Sequence, residues 1–322
     1  MNHLLPRRTA AGLALGLVAC LGLASCSSEA EADTEAGAAE TRTVQTADGA
    51  VEIPAEPVRV AALDNTSFAT LKAFGITPVA VPKPLLPSEG YDDWASDESI
   101  ADAGSHREPV LEAVSEADPD LIIGGYRFAE QTEELSKIAP TIDISPSAEA
   151  EGGFVESLKT QTTTLGEIFG EEEKAAELVA ALEEAQESAA AETDGESVFL
   201  AVASGGHIDN GSERLGRITE PLGLTNVLEA EGDSIHNDSG LAPETIAQLN
   251  PDWMIVLDRD AATGTEGASP AQQLVSEQEA WKDTTFITQD HVIYLPAMFY
   301  VTEGIQAYTE VYGQIADAFS AA

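Results

Sequence analysis

Two stretches of this chain align without a gap: Glu112-Ala-Val-Ser-Glu-Ala-Asp-Pro-Asp-Leu-Ile-Ile-Gly-Gly-Tyr-Arg127 and Glu244-Thr-Ile-Ala-Gln-Leu-Asn-Pro-Asp-Trp-Met-Ile-Val-Leu-Asp-Arg259, identical at five of sixteen positions. Each reads as a short helix, a break where proline bars the preceding residue from helical geometry, an apolar strand, and an arginine just past its end. A second pair lies upstream of each block, Phe74-Gly75-Ile76-Thr77 and Leu222-Gly223-Leu224-Thr225, with glycine placed to close a helix. A repeat of this kind predicts two similar lobes. A duplicated α/β unit leaves a crevice between its halves, faced by strand carboxyl ends, where such folds bind ligands.

The rest of the pattern agrees. Apolar, β-rich runs at 58–63, 78–81, 121–125 and 141–144, then at 198–203, 253–258 and 292–295, alternate with helical segments. That alternation predicts an α/β fold of Rossmann-like lobes with mainly parallel, buried sheets. Between the two sets only helical signals occur. Phe154, Leu158, Leu165 and Phe169 share one helical face, and residues 171–192 are almost wholly Glu, Ala, Leu and Lys without Gly or Pro. The second segment would form one stiff joining helix roughly 30 Å long. The lobes are expected at 44–150 and 195–322, with the helical connector at 151–194.

The N-terminus has a different character. Arg7 and Arg8 precede an apolar run of about 14 residues ending in Leu23-Ala24-Ser25-Cys26. A membrane-spanning helix needs roughly 20 apolar residues, so 1–25 reads as an export signal rather than a permanent anchor. Leu-Ala-Ser-Cys resembles the bacterial lipobox, which implies lipid on Cys26. The Arg7-Arg8 pair leaves the general and twin-arginine export routes both open. Residues 26–43, rich in Ser, Glu, Ala, Thr and Gly, should form a flexible acidic tether. The other cysteine, Cys20, lies within the signal, so the folded part has no thiol for a disulfide or a metal.

About 280 residues follow the tether, in a chain that is 43% hydrophobic, enough for two cores. Without the signal, 13 basic side chains face 57 acidic ones, a net charge of about −44. Nucleic acid and anionic membrane surfaces are therefore poor partners, and lipid is the expected link to a membrane. Most of this charge is a solvated surface, against which each arginine stands out.

The order of elements resembles the helical-backbone class of ABC-transporter substrate-binding proteins, which carry ferric siderophores, cobalamin or haem. The resemblance runs from about residue 43 to the C-terminus and rests on the two Glu-to-Pro-Asp blocks and the joining helix. Asp120-Leu-Ile-Ile-Gly-Gly-Tyr-Arg127, Ser212-Glu-Arg-Leu-Gly-Arg217, Ile255-Val-Leu-Asp-Arg259 and Ile293-Tyr-Leu-Pro-Ala-Met-Phe-Tyr300 are most similar to the branch that binds ferric catecholates.

That resemblance implies roles. Arg127, Arg214 and Arg259 would face an anionic iron chelate, for which planar guanidinium donors are suited; the alternative is that Arg127 and Arg259 only cap strand ends in surface ion pairs. His236 and Tyr300 would complete the shell of a ferric ion left open by its chelator, since hard iron favours phenolate and accepts imidazole. Asn237 stands where the family usually has glycine, so the His236 loop departs from the pattern; a solvated histidine and a core tyrosine are the alternatives. His207 would lie at the cleft rim, and Tyr126 and Phe299 could stack on catechol rings or serve as packing. Glu112 and Glu244, one per lobe, would dock into the permease subunits of the importer. The small closure allowed by a rigid joining helix, a monomeric state and a Gram-positive source are also implied.

An enzyme is not expected: the chain has no Gly-x-Ser-x-Gly, no Walker loop and no His-Glu-x-x-His. Five histidines are too few for a transport protein that holds zinc or manganese by several of them. No intrinsic cofactor is expected, iron arriving as its siderophore complex. Haem or cobalamin in the same fold is the competing ligand assignment.

Overall fold

The computed structural model describes residues 40–46, 49–228 and 241–322. A hairpin of β1 (Thr41–Thr46) and β2 (Gly49–Pro54) comes first. Thr41, Arg42 and Thr43, assigned to the tether from composition, thus belong to a strand. The Arg42 guanidinium donates to the Glu167 carbonyl oxygen, holding the hairpin against the connector.

Five parallel strands follow: β3 (Val60–Ala62), β4 (Ala80–Val81), β5 (Ala101–Asp102), β6 (Leu121–Ile123) and β7 (Thr141–Ile142), in the order β5-β4-β3-β6-β7. The second sheet contains β8 (Ser197–Ser204), β9 (His207–Asn210), β10 (Thr225–Asn226), β11 (Trp253–Asp258) and β12 (Val292–Tyr294). Its order is β10-β8-β11-β12, all parallel, with β9 antiparallel to the outer edge of β8. Both sheets are covered on two faces. Val60, Ala62, Leu121 and Ile123 enter one core of the first lobe, while Ala61 and Ile122 enter the other. Val198, Leu200, Trp253 and Ile255 likewise point away from Phe199, Ala201 and Met254. Side chains of period two must be apolar on both sides of such strands, which accounts for their uninterrupted apolar runs.

The repeat is structural as well. Asp118 and Asn250, each preceding a proline, both adopt left-handed backbone geometry, with φ of 49° and 46°. The carboxylates two residues on do the same work: Asp120 accepts from the Val58 and Arg59 amides at 2.9 Å, and Asp252 from the Ser197 amide at 2.9 Å and its hydroxyl at 2.6 Å. Each Pro-Asp thus fixes the start of the strand beside its own. Gly75 and Gly223 close their helical turns at φ of 80° and 68°, as the second sequence pair predicts.

The joining element is a helix pair rather than a single helix. Gly153–Phe169 places Phe154 and Leu158 in the second lobe's core and Leu165 and Ile168 in the first's. Glu172–Glu192 runs back, with Ala175 in the first core and Leu182 and Ala189 in the second. The C-terminal helix Ile305–Ser320 packs along it. The lobes also meet directly. Asn65 Nδ2 donates to the Val301 carbonyl at 2.9 Å, and a Cβ on Gly304 would lie 2.3 Å from the Thr66 carbonyl oxygen, so only glycine permits that approach. Among the described residues no helix is long and apolar enough to cross a membrane.

Candidate functional site

A cavity of about 420 Å³ opens between the lobes. Its walls all follow strand carboxyl ends: Ser88 after β4, His106 and Arg107 after β5, Arg127 after β6, Arg259 after β11 and Tyr300 after β12. Parallel strands deliver their following loops to one edge, and two lobes facing each other pool those loops in one crevice.

Tyr300 is the centre of the basic wall. The guanidinium carbons of Arg214, Arg127 and Arg259 stand 4.8, 5.2 and 5.7 Å from its ring centroid. Arg127 also donates to the Tyr300 carbonyl oxygen at 3.0 Å, and Arg259 to Ser204 Oγ at 3.2 Å. Burial opposes ionisation of the Tyr300 phenol, yet a hydrogen bond from Arg259 and the three positive charges outweigh it and hold its pKa below the ordinary value. The three arginines singled out by the sequence are thereby gathered around one tyrosine, although Arg214 reaches it from beside the cavity rather than from its wall.

Beneath this cage lies Glu303, which sequence reasoning missed. It is fully buried, at 0% exposure, and its backbone is left-handed, with φ of 46°. One carboxylate oxygen pairs with Arg214 at 2.5 Å and with the Tyr126 hydroxyl at 2.6 Å, and the other with Arg217 at 2.8 Å. Arg127 approaches the first oxygen at 3.9 Å. Arg217 lies 4.2 Å from the Phe154 ring centroid and so links the cluster to the connector. One glutamate in a chain with 57 acidic residues carries no distinguishing mark. The available signal was Arg217, one helical turn beyond Arg214.

Other side chains divide between the places the sequence left open. Tyr126 commits its hydroxyl to Glu303 and does not line the cavity; burial first, and then the Glu303 charge, pushes its pKa up. Phe299 is core: 1% exposed, it packs 5.3 Å from the Tyr308 ring. Successive residues of the turn Phe299–Thr302 diverge by roughly 100°, so Tyr300 can face the cavity only if Phe299 turns away. His207 opens β9, exposed and apart from the cavity lining. His236 lies outside the described residues, as do Cys26 and the signal. Instead, His106 lines the cavity, its pKa held down by burial and then by Arg127 and Arg107. Its signal was a basic pair just past an unrecognised two-residue strand. Glu112 and Glu244 are both exposed, and each is the second residue of its helix, Leu111–Glu116 and Pro243–Leu249.

A family model for periplasmic binding proteins matches residues 60–298. The chain belongs to the periplasmic binding protein family. This periplasmic binding protein is 31% identical over 274 residues, 83% of its own chain and 84% of the relative, to the petrobactin-binding protein YclQ of Bacillus subtilis. The crystal structure of YclQ matches it with a TM-score of 0.75 at 29% identity, covering 87% of this chain and 99% of that one. The periplasmic catecholate-siderophore binding protein VctP of Vibrio cholerae follows at a TM-score of 0.73 and 27% identity, over 88% and 100% of the two chains. A shorter match, 38% identical over 130 residues and 39% of this chain, is to the probable siderophore-binding lipoprotein YfiY of Bacillus subtilis, of which it spans 40%. The two-lobed α/β architecture expected from the repeat is thus the fold of this periplasmic binding protein, and its family is one of binding proteins, not enzymes.

Proposed function

We propose that this protein is the lipid-anchored binding component of an ABC importer, capturing an anionic ferric siderophore of catecholate type in the cleft between its lobes. The observation that carries this reading is Tyr300: a phenol with a lowered pKa, ringed by Arg127, Arg214 and Arg259, beside a cavity open to solvent. Ferric iron is a hard cation that favours anionic oxygen, and its catecholate complexes carry net negative charge. A cleft lined by Arg107, Arg127 and Arg259, in a chain of net charge −42, attracts such a complex where the rest of the surface repels it. VctP is named as a catecholate-siderophore binding protein, which supports this class of ligand.

Iron is the cargo in this reading. Tyr300 supplies one ligand atom and His236 the second, the siderophore filling the remaining positions. Glu112 and Glu244 dock the two lobes on the permease, and lipid on Cys26 keeps the protein beside it, raising its local concentration. Reversing the charge of either glutamate should abolish uptake and leave ligand affinity unchanged; weakened binding would contradict the docking role.

The test is a titration of intrinsic fluorescence with ferric catecholate, ferric hydroxamate, haem and cobalamin. Quenching at submicromolar concentration by the catecholate, and not by haem or cobalamin, is expected. Haem or cobalamin binding without any response to ferric complexes would overturn the reading.

A further inference from the structure

Glu303 joins the lobes at a point where basic side chains of both converge. Tyr126 and Arg127 come from the first lobe, Arg214 and Arg217 from the second, and all four approach the same buried carboxylate. A carboxylate at 0% exposure is stable only when its lone pairs are filled, and here both oxygens accept charge-assisted bonds. Arg214 is shared: it bonds Glu303 and lies 4.8 Å from the Tyr300 ring centroid. Its position over the tyrosine is therefore set from below. The neighbouring Gly304 presses on Thr66 of the opposite lobe, and Glu303 itself holds left-handed geometry that non-glycine residues seldom adopt. Such geometry persists only where surrounding bonds enforce it.

We propose that Glu303 is the positioning residue of the cleft: it fixes Arg214 against Tyr300 and, through Tyr126, latches the two lobes in the ligand-receiving arrangement. Its ligand-binding half rests on the ferric siderophore reading above; its latch half does not. Glu303 touches no ligand, since it does not line the cavity. Arg214 and Arg217 are held in place by its charge, while on the cavity wall Arg127 bonds the Tyr300 carbonyl oxygen and Arg259 pairs with Asp260 at 3.7 Å. The cleft is thereby preorganised, and binding need not first order the two long side chains of Arg214 and Arg217.

The test is a double-mutant cycle of Glu303→Gln and Tyr126→Phe on the full chain, read in two ways. Urea unfolding without ligand reports the latch, and titration with the ferric complex of a tetradentate bis-catecholamide reports the cleft. Glutamine keeps shape and one acceptor but removes the charge, so affinity should fall about tenfold or more, and Tyr126→Phe should add little to it. The visible band of the bound ferric complex supplies a readout that mere loss of packing would not move: it should differ between wild type and Glu303→Gln, and Glu303→Asp, which keeps the charge, should restore most of the wild-type band. Additive effects in urea, or unchanged affinity with an unchanged band, would overturn the proposal. If the wild type binds no ferric complex while the urea cycle stays non-additive, the siderophore reading falls and the latch stands.

Discussion

The guanidinium of Arg214 stands 4.8 Å from the ring centroid of Tyr300 while its Nη1 pairs with Glu303 at 2.5 Å. One cation therefore serves a phenol that can meet the ligand and a carboxylate that cannot. Burial would raise the Tyr300 pKa; the hydrogen bond from Arg259 and the charges of Arg127, Arg214 and Arg259 outweigh it and lower that pKa. The sign follows: a positive neighbour favours phenolate, so its removal raises the pKa. Arg214→Met should shift the alkaline absorbance transition of Tyr300 to higher pH, and Arg214→Lys should restore most of the shift. An unchanged transition in Arg214→Met would mean that the other two arginines suffice.

Asp64 concerns stability rather than binding. It is fully buried at the end of β3, where it caps the turn Asn65–Ser67 and accepts from Thr66 and from Gln161 of the connector. Burial pushes its pKa up to about 7, against the bonds from Thr66, which lower it. The folded state thus holds a proton that the unfolded chain gives up near pH 4. The stabilisation is fully present below that pH, declines between about pH 4 and 7, and is gone above; a shift of about three pH units corresponds to about 4 kcal/mol. Asp64→Asn should remove this slope. The measurement is the difference in unfolding free energy between the two proteins at pH 4.5 and pH 8. A constant difference would show that Asp64 does not titrate in this window.

Asp252 tests the repeat. Its carboxylate holds the Ser197 amide and hydroxyl, and those bonds lower its pKa. Asp252→Ala should cost about 1–3 kcal/mol in urea unfolding, the range for a lost bond to a charged acceptor. Asp120→Ala, which strips the Val58 and Arg59 amides, should cost a similar amount. A large loss at one site and none at the other would deny the equivalence of the blocks.

That equivalence is why so much of the fold was legible. Strand β11 spans Trp253–Asp258, the run read from sequence, because a buried parallel strand must be apolar on both faces and proline marks its start. The hairpin β1–β2 was not legible, since Thr and Gln make up four of the six residues of β1 and its support comes from a distant helix through Arg42. Strand β5 is two residues long and bears no periodicity. The same limits govern the site. Arg127 and Arg259 were marked by their equivalent places in the repeat, whereas Glu303 becomes distinctive only when the fold buries it among cations from two segments. Phe299 and Tyr300 are adjacent in sequence and equally aromatic, so only the turn that carries them decides which one faces the cleft. His106 was hidden because the strand before it was.

The most direct test of the reading is a visible-absorbance titration of wild type and Tyr300→Phe with the ferric complex of a tetradentate bis-catecholamide. With Tyr300 on the iron, the ligand-to-metal band should shift on binding to the wild type, and Tyr300→Phe should lose both the shift and about tenfold in affinity. The same band and the same affinity in both proteins would contradict a role for Tyr300 at the metal, and no binding of the ferric complex by the wild type would contradict the ferric cleft itself.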